Sequence, residues 1–382
     1  MKHCWRDESG AWMSSGGFPI QMAGLGSLFD EMTLVTSVVP PRDGGLPLPA
    51  NIRVVALHEP SGEDARRKLS VVAHLPHYLL TIAQNVRRAD VVHTPLPGDL
   101  PLLGMLVTVA LRKALIVRYG GSWQATAQTT RMNRITQGLM RRFAGKRNVM
   151  LVTGAGTGVP APRMHWIFST ALSEQEIASI NPNLCRPAHN PLRLVYIGRL
   201  SSEKGVDKLV RAMGLVRKQG VADLPALTII GDGPERGKLE QITRVEGCAD
   251  AVHFTGQLDR ASLSRELLDM DLCVQPSLTE GFSKAWLDAM AHGLPVLASE
   301  VGAARRVIGG DEERGWLVPP GDVEALAVAL CKVIDGPVDW PALRRRCREY
   351  VEGQTLEAWA QMIGEICARQ WGIALVDGKL QA

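Results

Sequence analysis

Residues 192–205 read LRLVYIGRLSSEKG, and this stretch carries the clearest fold signal in the chain. A largely apolar run that closes on a glycine predicts a buried strand, and a helix is expected from about Lys204 to Arg217. The same pattern then repeats along the second half of the chain. Further strands are predicted at 226–233, 251–256, 271–277 and 294–299, with another candidate at 315–322. Apolar strands that alternate with helices predict a parallel sheet covered on both faces.

The first half shows the same alternation with weaker signals. Its candidate strands are 32–39, 52–57, 90–93, 114–119 and 149–154. The chain has 382 residues, more than one hydrophobic core usually supports, so two domains are expected. The fold class is therefore α/β, with two Rossmann-like, doubly wound parallel-sheet domains that face each other across a cleft. Ligands bind such folds at the carboxyl ends of the strands.

The domain boundaries follow from composition. Residues 1–180 are expected to form the amino-terminal domain, and the proline-containing segment NPNLCRPAHNPL, residues 181–192, the linker. Residues 193–352 are expected to form the second domain. The final segment, 353–382, is expected to be a helix that crosses back onto the first domain through an apolar stripe of Leu356, Trp359, Ile363 and Ile366.

Composition indicates an ordinary soluble globular protein, with 46% apolar and 21% charged residues. No signal peptide is recognisable, and the longest apolar run, residues 100–111, is too short to span a bilayer. Seven scattered cysteines without a CxxC pair favour a reducing cytoplasm. The nine histidines form no HxH or HExxH cluster, so no metal site is expected.

Two loops at predicted strand ends carry candidate anion-binding groups. Arg199 and Lys204 lie between a strand and a helix, where a cationic fork and a point charge suit an anion, although solvated loop cations are an equal alternative. The second loop, GDGP, holds Gly231, Asp232 and Gly233 at the next strand end. There the glycines allow close approach to a ligand, but a simple turn with Asp232 capping a helix is favoured.

A third loop, TEGFSKAWLDAMAHGLP at 279–295, places two carboxylates around a helix start. Ser283 is the expected N-cap of a helix over 284–292, whose first amides suit phosphate oxygens. Glu280 can accept hydrogen bonds from a sugar, and Asp288 can reach a vicinal diol such as ribose. The alternative is that both acids are solvated, but Asp288 has apolar neighbours, and a buried carboxylate needs partners.

These motifs together resemble the donor half of a retaining glycosyltransferase with two Rossmann-like domains, the GT-B type, and closest to glycosyl transferase group 1, family four. The resemblance covers about residues 192–335. It implies that Arg199 and Lys204 bind the diphosphate of a nucleotide-sugar. It also implies that the loop after 279 surrounds the donor sugar and phosphates through Glu280, Gly281, Phe282 and Ser283, and that Asp288 holds the ribose hydroxyls.

The resemblance also implies that the enzyme needs no metal. It implies no cofactor either, since the nucleotide-sugar is a co-substrate. Asp269-Met270-Asp271 has the DxD pattern of metal-dependent transferases, but it opens a predicted strand, so a metal role is not expected.

The first half resembles the family less. SSGGFP, with Gly16 and Gly17, is similar to a glycine-rich loop near the diphosphate and acceptor, but residues 1–13 before it make a poor, irregular strand. DVVHTPLPGD matches a D-V-V-H-x-H-x-P segment at His93, while Pro95 stands in place of the second histidine. His93 is equally a ligand or a buried structural residue, and Asp99 is a replacement ligand or, more readily, a helix N-cap. Arg118 in RYGGSW stands near the family's His-Gly and could meet an acidic acceptor.

Charge is unevenly distributed along the chain. Residues 1–190 carry 20 basic and 12 acidic side chains, and from Leu100 to Ser173 there are ten basic residues and no acid. Within that region Met132, Ile135, Leu139 and Phe143 form one helical stripe, flanked by Arg131, Arg134, Arg141 and Arg142. The helix either packs this stripe on its sheet or docks on anionic lipid headgroups. No nucleic-acid recognition module is visible.

The sequence therefore predicts an enzyme of the cytoplasm, either free or at the inner face of the membrane. The expected reaction moves a sugar from a nucleotide-sugar, UDP by default, to an acceptor glycan, lipid-linked sugar or small molecule. A nucleotide-sugar epimerase on the same scaffold is one alternative. A catalytically weak, nucleotide-sugar-binding partner subunit and a basic membrane-surface adaptor are two others.

Overall fold

The computed structural model describes residues 3–42, 44–59, 64–126, 129–158, 160–221, 223–310 and 312–381. The strands of the first half are β1 (Cys4–Arg6), β2 (Trp12–Ser14), β3 (Met32–Val38), β4 (Leu46–Pro47), β5 (Ile52–His58), β6 (Val91–Leu96), β7 (Ala114–Ser122), β8 (Asn148–Gly154) and β9 (Met164–Trp166). Its helices are α1 (Phe18–Gly26), α2 (Asp64–Arg88), α3 (Asp99–Ala110), α4 (Arg131–Phe143) and α5 (Glu174–Ser179).

The strands of the second half are β10 (Arg193–Ile197), β11 (Ala226–Ile230), β12 (Val252–Gly256), β13 (Leu272–Gln275), β14 (Val296–Ser299) and β15 (Gly315–Val318). Its helices are α6 (Val206–Lys218), α7 (Arg236–Val245), α8 (Arg260–Leu268), α9 (Lys284–Ala291), α10 (Ala304–Ile308), α11 (Val323–Asp335) and α12 (Trp340–Glu352). The chain ends with α13 (Leu356–Trp371) and a small hairpin of β16 (Ala374–Val376) and β17 (Lys379–Gln381).

The second half is built on one parallel sheet, with strand order β12-β11-β10-β13-β14-β15. Every residue of β13 and β14 is buried, because helices cover both faces of the sheet. All six strands expected from the sequence are present. The strand order reverses between β10 and β13, so the loops after these two strands flank the crevice where open α/β sheets bind ligands.

The first half also contains its five expected strands, but they belong to two sheets. One has the order β4-β2-β1-β3-β5, and the other, β6-β7-β8-β9, is parallel. The irregular first strand expected over residues 1–13 is a hairpin of β1 and β2. It turns because the Asp7 carboxylate accepts hydrogen bonds from the amides of Ser9 and Ala11, at 3.0 and 2.9 Å. The hairpin brings β2 to an end directly before the glycine-rich loop.

Helix α13 lies against the first domain. The side chains of Trp359 and Ile363 are buried, and Leu356 packs closely on Gly24 of α1. Farther along, the Gln370 side-chain amide donates to the carbonyls of Gly145 and Asn148, at 2.6 and 2.9 Å. Helix α13 therefore contacts α1 and the segment between α4 and β8. The domain boundaries themselves remain predictions.

One local expectation is wrong. Asp99 is not an N-cap, because α3 begins at Asp99 itself and Gly98 precedes the helix. For α4 the sequence left packing on the sheet and docking on lipid both open, and the buried residues are Thr136, Gln137 and Met140. Met132 and Ile135 are 49% and 54% exposed, so the first half of the stripe does not pack on the sheet.

Across the described ranges, no helix combines the length and the apolar character needed to cross a bilayer.

Candidate active site

The loops after β10 and β13 meet at the switch point of the second sheet. The amide of Leu278 donates to the carbonyl of Glu203 at 2.9 Å, which fixes the two loops side by side. Lys204 and Glu280 then form an ion pair across the junction, through the Lys204 Nζ and the Glu280 Oε2. Their side chains are 24% and 15% exposed, so both still reach the crevice. The structure thus brings together two predicted site residues from separate motifs.

Arg199 lies on the same loop as Lys204 and is exposed. Its carbonyl accepts a hydrogen bond from the Tyr196 hydroxyl at 3.0 Å, which anchors the backbone at the strand end. Among the residues that the structure describes, no carboxylate lies within ion-pair distance of the Arg199 guanidinium. The arginine is therefore available to an anionic ligand at the mouth of the crevice.

The GDGP loop packs against the Arg199 loop. A Cβ at Gly231 would lie 2.0 Å from the Gly198 carbonyl oxygen, and one at Gly233 would lie 2.4 Å from that of Leu200. The Asp232 carboxylate accepts from the Gly233 amide at 2.8 Å, and the residue that precedes α7 is Glu235, so Asp232 is not the helix cap. The two glycines are required by the approach of a neighbouring backbone, whatever ligand binds there.

The Glu280–Gly281 loop is held between glycines of both domains. A Cβ at Gly281 would lie 2.2 Å from the Gly120 carbonyl oxygen of the first domain, and one at Gly302 would lie 2.1 Å from the Glu280 carbonyl oxygen. On the first domain, a Cβ at Gly154 would lie 2.7 Å from the Gly281 Cα. Only backbone fits in this contact, so the domains touch at the loop that carries Glu280.

Helix α9 begins next to this contact. Ser283 has the extended backbone of an N-cap residue, but its hydroxyl makes no capping hydrogen bond. Phe282 is buried and its ring centroid lies 5.8 Å from that of Trp286. Gly293 ends the helix region with a φ of 73°, as the sequence predicts. The buried Ser283 therefore starts α9 without a side-chain cap, beside the contact between the domains.

The glycine-rich loop of the first domain meets α9. The Lys284 Nζ lies 2.9 Å from the position that a Cβ at Gly17 would occupy, and Gly16 has a φ of 63°. Gly17 is the residue before α1. The structure thus places Gly16 and Gly17 beside the start of α9, opposite the second domain.

Asp288 lies in a partly buried charge cluster that the sequence reasoning missed. Its Oδ1 accepts from the Arg260 Nη2 at 3.3 Å, and Arg260 also donates from its Nε to the Glu176 carboxylate. Burial raises the pKa of Asp288, although Arg260 and Lys284 oppose that effect. The Asp288 carboxylate therefore forms an ion pair with Arg260. The available signal was that Arg260 follows β12 at the carboxyl edge of the sheet, where ligand-facing residues gather.

His93 and Arg118 lie in the first domain beneath the cleft. Arg118 is only 9% exposed, donates from Nη1 to the Gln21 Oε1 at 3.0 Å and stacks on the Trp359 ring at 5.3 Å. Burial lowers the pKa of Arg118 to about 10, and burial together with Arg118 lowers the pKa of His93 to about 3. His93 is consequently neutral at physiological pH. The partners of Arg118 belong to α1 and α13, which favours a structural role over contact with an acidic acceptor.

The Asp269-Met270-Asp271 acids face the linker. Asp269 pairs with Arg193, and the buried Asp271 binds Arg186 at 2.8 Å and Arg344 at 2.9 Å. Both acids are therefore engaged in holding the linker and α12 on the second domain.

A cavity of about 400 Å³ lies between the domains beside the Glu280 loop. Its wall includes Gln124 and Thr126 from the first domain and Leu278, Glu300, Gly302 and Pro320 from the second. Arg306 connects the two domains nearby. Its guanidinium donates hydrogen bonds to the carbonyls of Gly156 and Thr157, at 2.8 and 2.7 Å. It also lies over the Trp166 ring, at 4.3 Å from the ring centroid. The sequence did not point to Arg306.

Arg131, Arg134, Arg141 and Arg142 do not belong to the crevice. All four are exposed on α4.

Known proteins resemble this chain in two ways. The profile of the family "Glycosyl transferases group 1" matches residues 191–336. The MMP alpha-(1->4)-mannosyltransferase of Mycolicibacterium hassiacum is 30% identical over 201 residues, which cover 50% of this chain and 48% of that protein. The chain spans about half the length, or less, of the curated relatives that it matches.

Solved structures resemble nearly the whole chain. Sucrose-phosphate synthase from Thermosynechococcus elongatus has a TM-score of 0.71 at 21% identity, with 97% of this chain and 96% of that chain covered. HepE of Anabaena in complex with UDP has a TM-score of 0.65 at 18% identity, with 97% and 100% covered. These likenesses concern the fold and confirm the α/β architecture of the GT-B type. The profile of glycosyl transferases group 1 therefore matches residues 191–336, and these residues lie within a chain that has the fold of these structures.

Proposed function

We propose that this chain is a glycosyltransferase that moves a sugar from a nucleotide-sugar to an acceptor hydroxyl. The observation that carries the proposal is the meeting of Lys204 and Glu280 at the switch point of a sheet whose sequence matches glycosyl transferases group 1. A UDP-sugar is the proposed donor, supported by the UDP complex of the similarly folded HepE. We further propose retention of configuration and independence of a metal, both of which rest on the family resemblance.

The proposed donor lies along the carboxyl edge of the second sheet. Its diphosphate meets Arg199, Lys204 and the start of α9, its sugar meets Glu280, and its ribose meets Asp288. In the reaction the acceptor hydroxyl attacks the anomeric carbon from the face that the diphosphate leaves. The bond to the diphosphate oxygen breaks, and the negative charge that develops on that oxygen is stabilised by the two cations. The acceptor proton ends on the departing diphosphate or in solvent.

The proposed acceptor enters from the cavity beside Gly302. Residues of both domains line this cavity, which borders the loop of Glu280. An acceptor hydroxyl there could therefore approach the donor sugar. Its volume of about 400 Å³ suits a sugar unit of a glycan, a lipid-linked sugar or a small molecule. Contact between the domains at Gly281 keeps water from the reacting centre.

The proposal is tested with the purified chain and UDP-, GDP- and ADP-sugars. A bound donor present at a hundred times its Kd should add about 2.7 kcal/mol to the unfolding free energy. Lys204→Ala should abolish that gain, whereas Lys218→Ala, at the far end of α6, should keep it. An altered nucleotide-sugar formed without acceptor would identify an epimerase instead. Binding without transfer or hydrolysis would identify a partner subunit.

A further inference from the structure

Helix α4 presents an apolar surface to solvent. Met132 and Ile135 are about half exposed, at 49% and 54%, although each is a residue that proteins usually bury. The face that packs on the first domain instead carries Thr136, Gln137 and Met140. An amphipathic helix of a globular domain normally turns its apolar face to the core and its polar face to solvent.

Specific hydrogen bonds hold the helix in this orientation. The Gln137 side-chain amide donates to the carbonyls of Ser122 and Trp123, at 3.2 and 3.4 Å. At the amino end the Thr130 hydroxyl accepts from the Asn133 amide at 3.1 Å, which caps the helix. A rotation that buried Met132 and Ile135 would leave the Gln137 amide and two carbonyls without these partners. The exposure of the apolar pair is therefore built into the fold.

Cations border the exposed pair. Arg131, Arg134, Arg141 and Arg142 are all exposed, and within the described ranges none of them has an acidic side chain at ion-pair distance. Arg141 also lies over the Trp123 ring at 4.8 Å, which fixes one charge against the domain. The acid-free region from Leu100 to Ser173 holds six further basic residues besides these four. Positive charge beside half-exposed apolar side chains complements a negatively charged apolar surface.

We propose that α4 docks on a lipid bilayer that contains anionic headgroups. Met132 and Ile135 enter the boundary between headgroups and acyl chains, while the four arginines bind lipid phosphates. A second copy of this chain is a poorer occupant, because a two-fold contact would oppose the same arginines. Nucleic acid would use the charge but leave the apolar pair without a function.

Docking in this way would orient the interdomain cavity. The cavity wall includes Gln124, Ala125 and Thr126, and α4 begins at Arg131, five residues after Thr126. Five residues span at most roughly 17 Å, so the cavity lies close to the surface on which α4 rests. An acceptor whose sugar is attached to a lipid could then reach the cavity without leaving the bilayer. This consequence rests on the proposed function, whereas the docking itself does not.

The test is flotation of the full chain with vesicles of phosphatidylcholine alone and of phosphatidylcholine with phosphatidylglycerol. The chain should float only with the anionic vesicles, and added salt should release it. Met132→Ser with Ile135→Ser should lower the partition coefficient at least about tenfold. Arg134→Gln with Arg142→Gln should lower it by about fivefold for each arginine.

Matched controls come from the second domain. Val245→Ser with Val328→Ser removes an apolar pair that is 79% and 63% exposed, and Arg244→Gln with Arg345→Gln removes two exposed arginines. These variants should float like the unmodified chain. Equal losses of flotation in the α4 variants and in the second-domain controls would overturn the proposal. Flotation that does not depend on anionic lipid would overturn it as well. Lipid-independent self-association abolished by the α4 variants would assign the surface to a second copy instead.

Circular dichroism and the donor-induced thermal shift of each variant keep the two proposals separate. Substitutions on α4 should leave the fold and the donor shift unchanged, because the helix lies outside the crevice. A chain that floats but binds no donor would uphold docking and refute the proposed function. A chain that binds donor but never floats would uphold the proposed function and refute docking.

Discussion

Lys204 and Glu280 form an ion pair although 76 residues separate them in the chain. They meet because β10 and β13 are neighbours in the sheet, and each residue lies on the loop at the carboxyl end of its strand. A diphosphate bound there would compete with Glu280 for the Lys204 ammonium group. The pair therefore links the proposed phosphate site to the proposed sugar site.

Glu280→Gln should separate nucleotide binding from transfer. Removing the carboxylate charge frees Lys204 from its ion pair. The affinity for UDP should therefore stay equal or rise by up to about fivefold, which corresponds to the free energy of roughly one exposed ion pair. Transfer should fall about 100-fold, because the contact with the donor sugar is lost. Calorimetric titration with UDP and initial rates measure the two effects, and Glu235→Gln, which removes the surface partner of Lys238, is the control. Weaker UDP binding with normal transfer would refute this division.

Asp288→Ala should weaken donor binding about tenfold or more, whereas Asp288→Glu should be tolerated because the carboxylate is kept. Burial raises the pKa of Asp288, so the carboxylate takes up a proton at a higher pH than an exposed aspartate does. Donor affinity should consequently decline early as the solution is acidified. Titration of the donor across the acid range measures both effects. Unchanged affinity in Asp288→Ala would remove Asp288 from the ribose site.

Arg260→Ala should lower the unfolding free energy by about 1–2 kcal/mol. The variant leaves the Asp288 and Glu176 carboxylates without their shared partner, and partial exposure of Arg260 limits the cost. Chemical denaturation measures the change. Arg265→Ala, on the exposed side of the same helix, should stay near the unmodified value. Equal stability of the two variants would mean that the cluster contributes nothing to the fold.

Gly281→Ala should disturb the contact between the domains. The new methyl group would lie 2.2 Å from the Gly120 carbonyl oxygen, so one backbone must move. A shift of about 1 Å at a reacting centre lowers kcat/KM roughly 100-fold, and small-angle scattering should show a larger radius of gyration. Gly237→Ala, where a Cβ meets nothing within 4 Å, is the control. Normal turnover in Gly281→Ala would show that catalysis does not need this approach.

His93 should make stability depend on pH. Burial and Arg118 lower its pKa to about 3, whereas the unfolded side chain titrates near its ordinary 6.5. As pH falls below that value the unfolded state binds the proton first, so stability present at neutral pH is lost toward pH 3. One proton corresponds to at most about 1.4 kcal/mol per pH unit, and the half-buried ring should give less.

The check is the unfolding free energy measured across this range. His93→Gln should flatten the pH dependence, and His253→Gln, on the exposed part of β12, should not. An unchanged slope in His93→Gln would mean that the pKa of His93 is the same in the folded and the unfolded protein.

The second domain was predictable from sequence because each of its signals is local. Apolar runs mark β10 to β15, and motifs at the strand ends mark Lys204 and Glu280. The hairpin of β1 and β2 was harder to predict, because its polar turn at Asp7 interrupts a segment that pairs with β3 only at Cys4. The sequence could not decide whether the α4 stripe packs on the sheet or faces solvent, because helical periodicity does not show that Gln137 binds the neighbouring loop.

The charge partners in the site were not predictable for a related reason. Arg260 lies 28 residues from Asp288, and Glu176 comes from the other side of the linker. Arg306 meets carbonyl groups about 150 residues away. Such contacts depend on how the two domains are placed, and no sequence period encodes that placement.

The proposed donor site is tested most sharply by the amount of free UDP released from a UDP-sugar, with and without acceptor, by the unmodified chain and by Lys204→Ala. We predict release by the unmodified chain that increases with acceptor, and a loss of about 100-fold or more in Lys204→Ala with Lys218→Ala unaffected. Equal release by the unmodified chain and Lys204→Ala would contradict the placement of the donor diphosphate on Lys204.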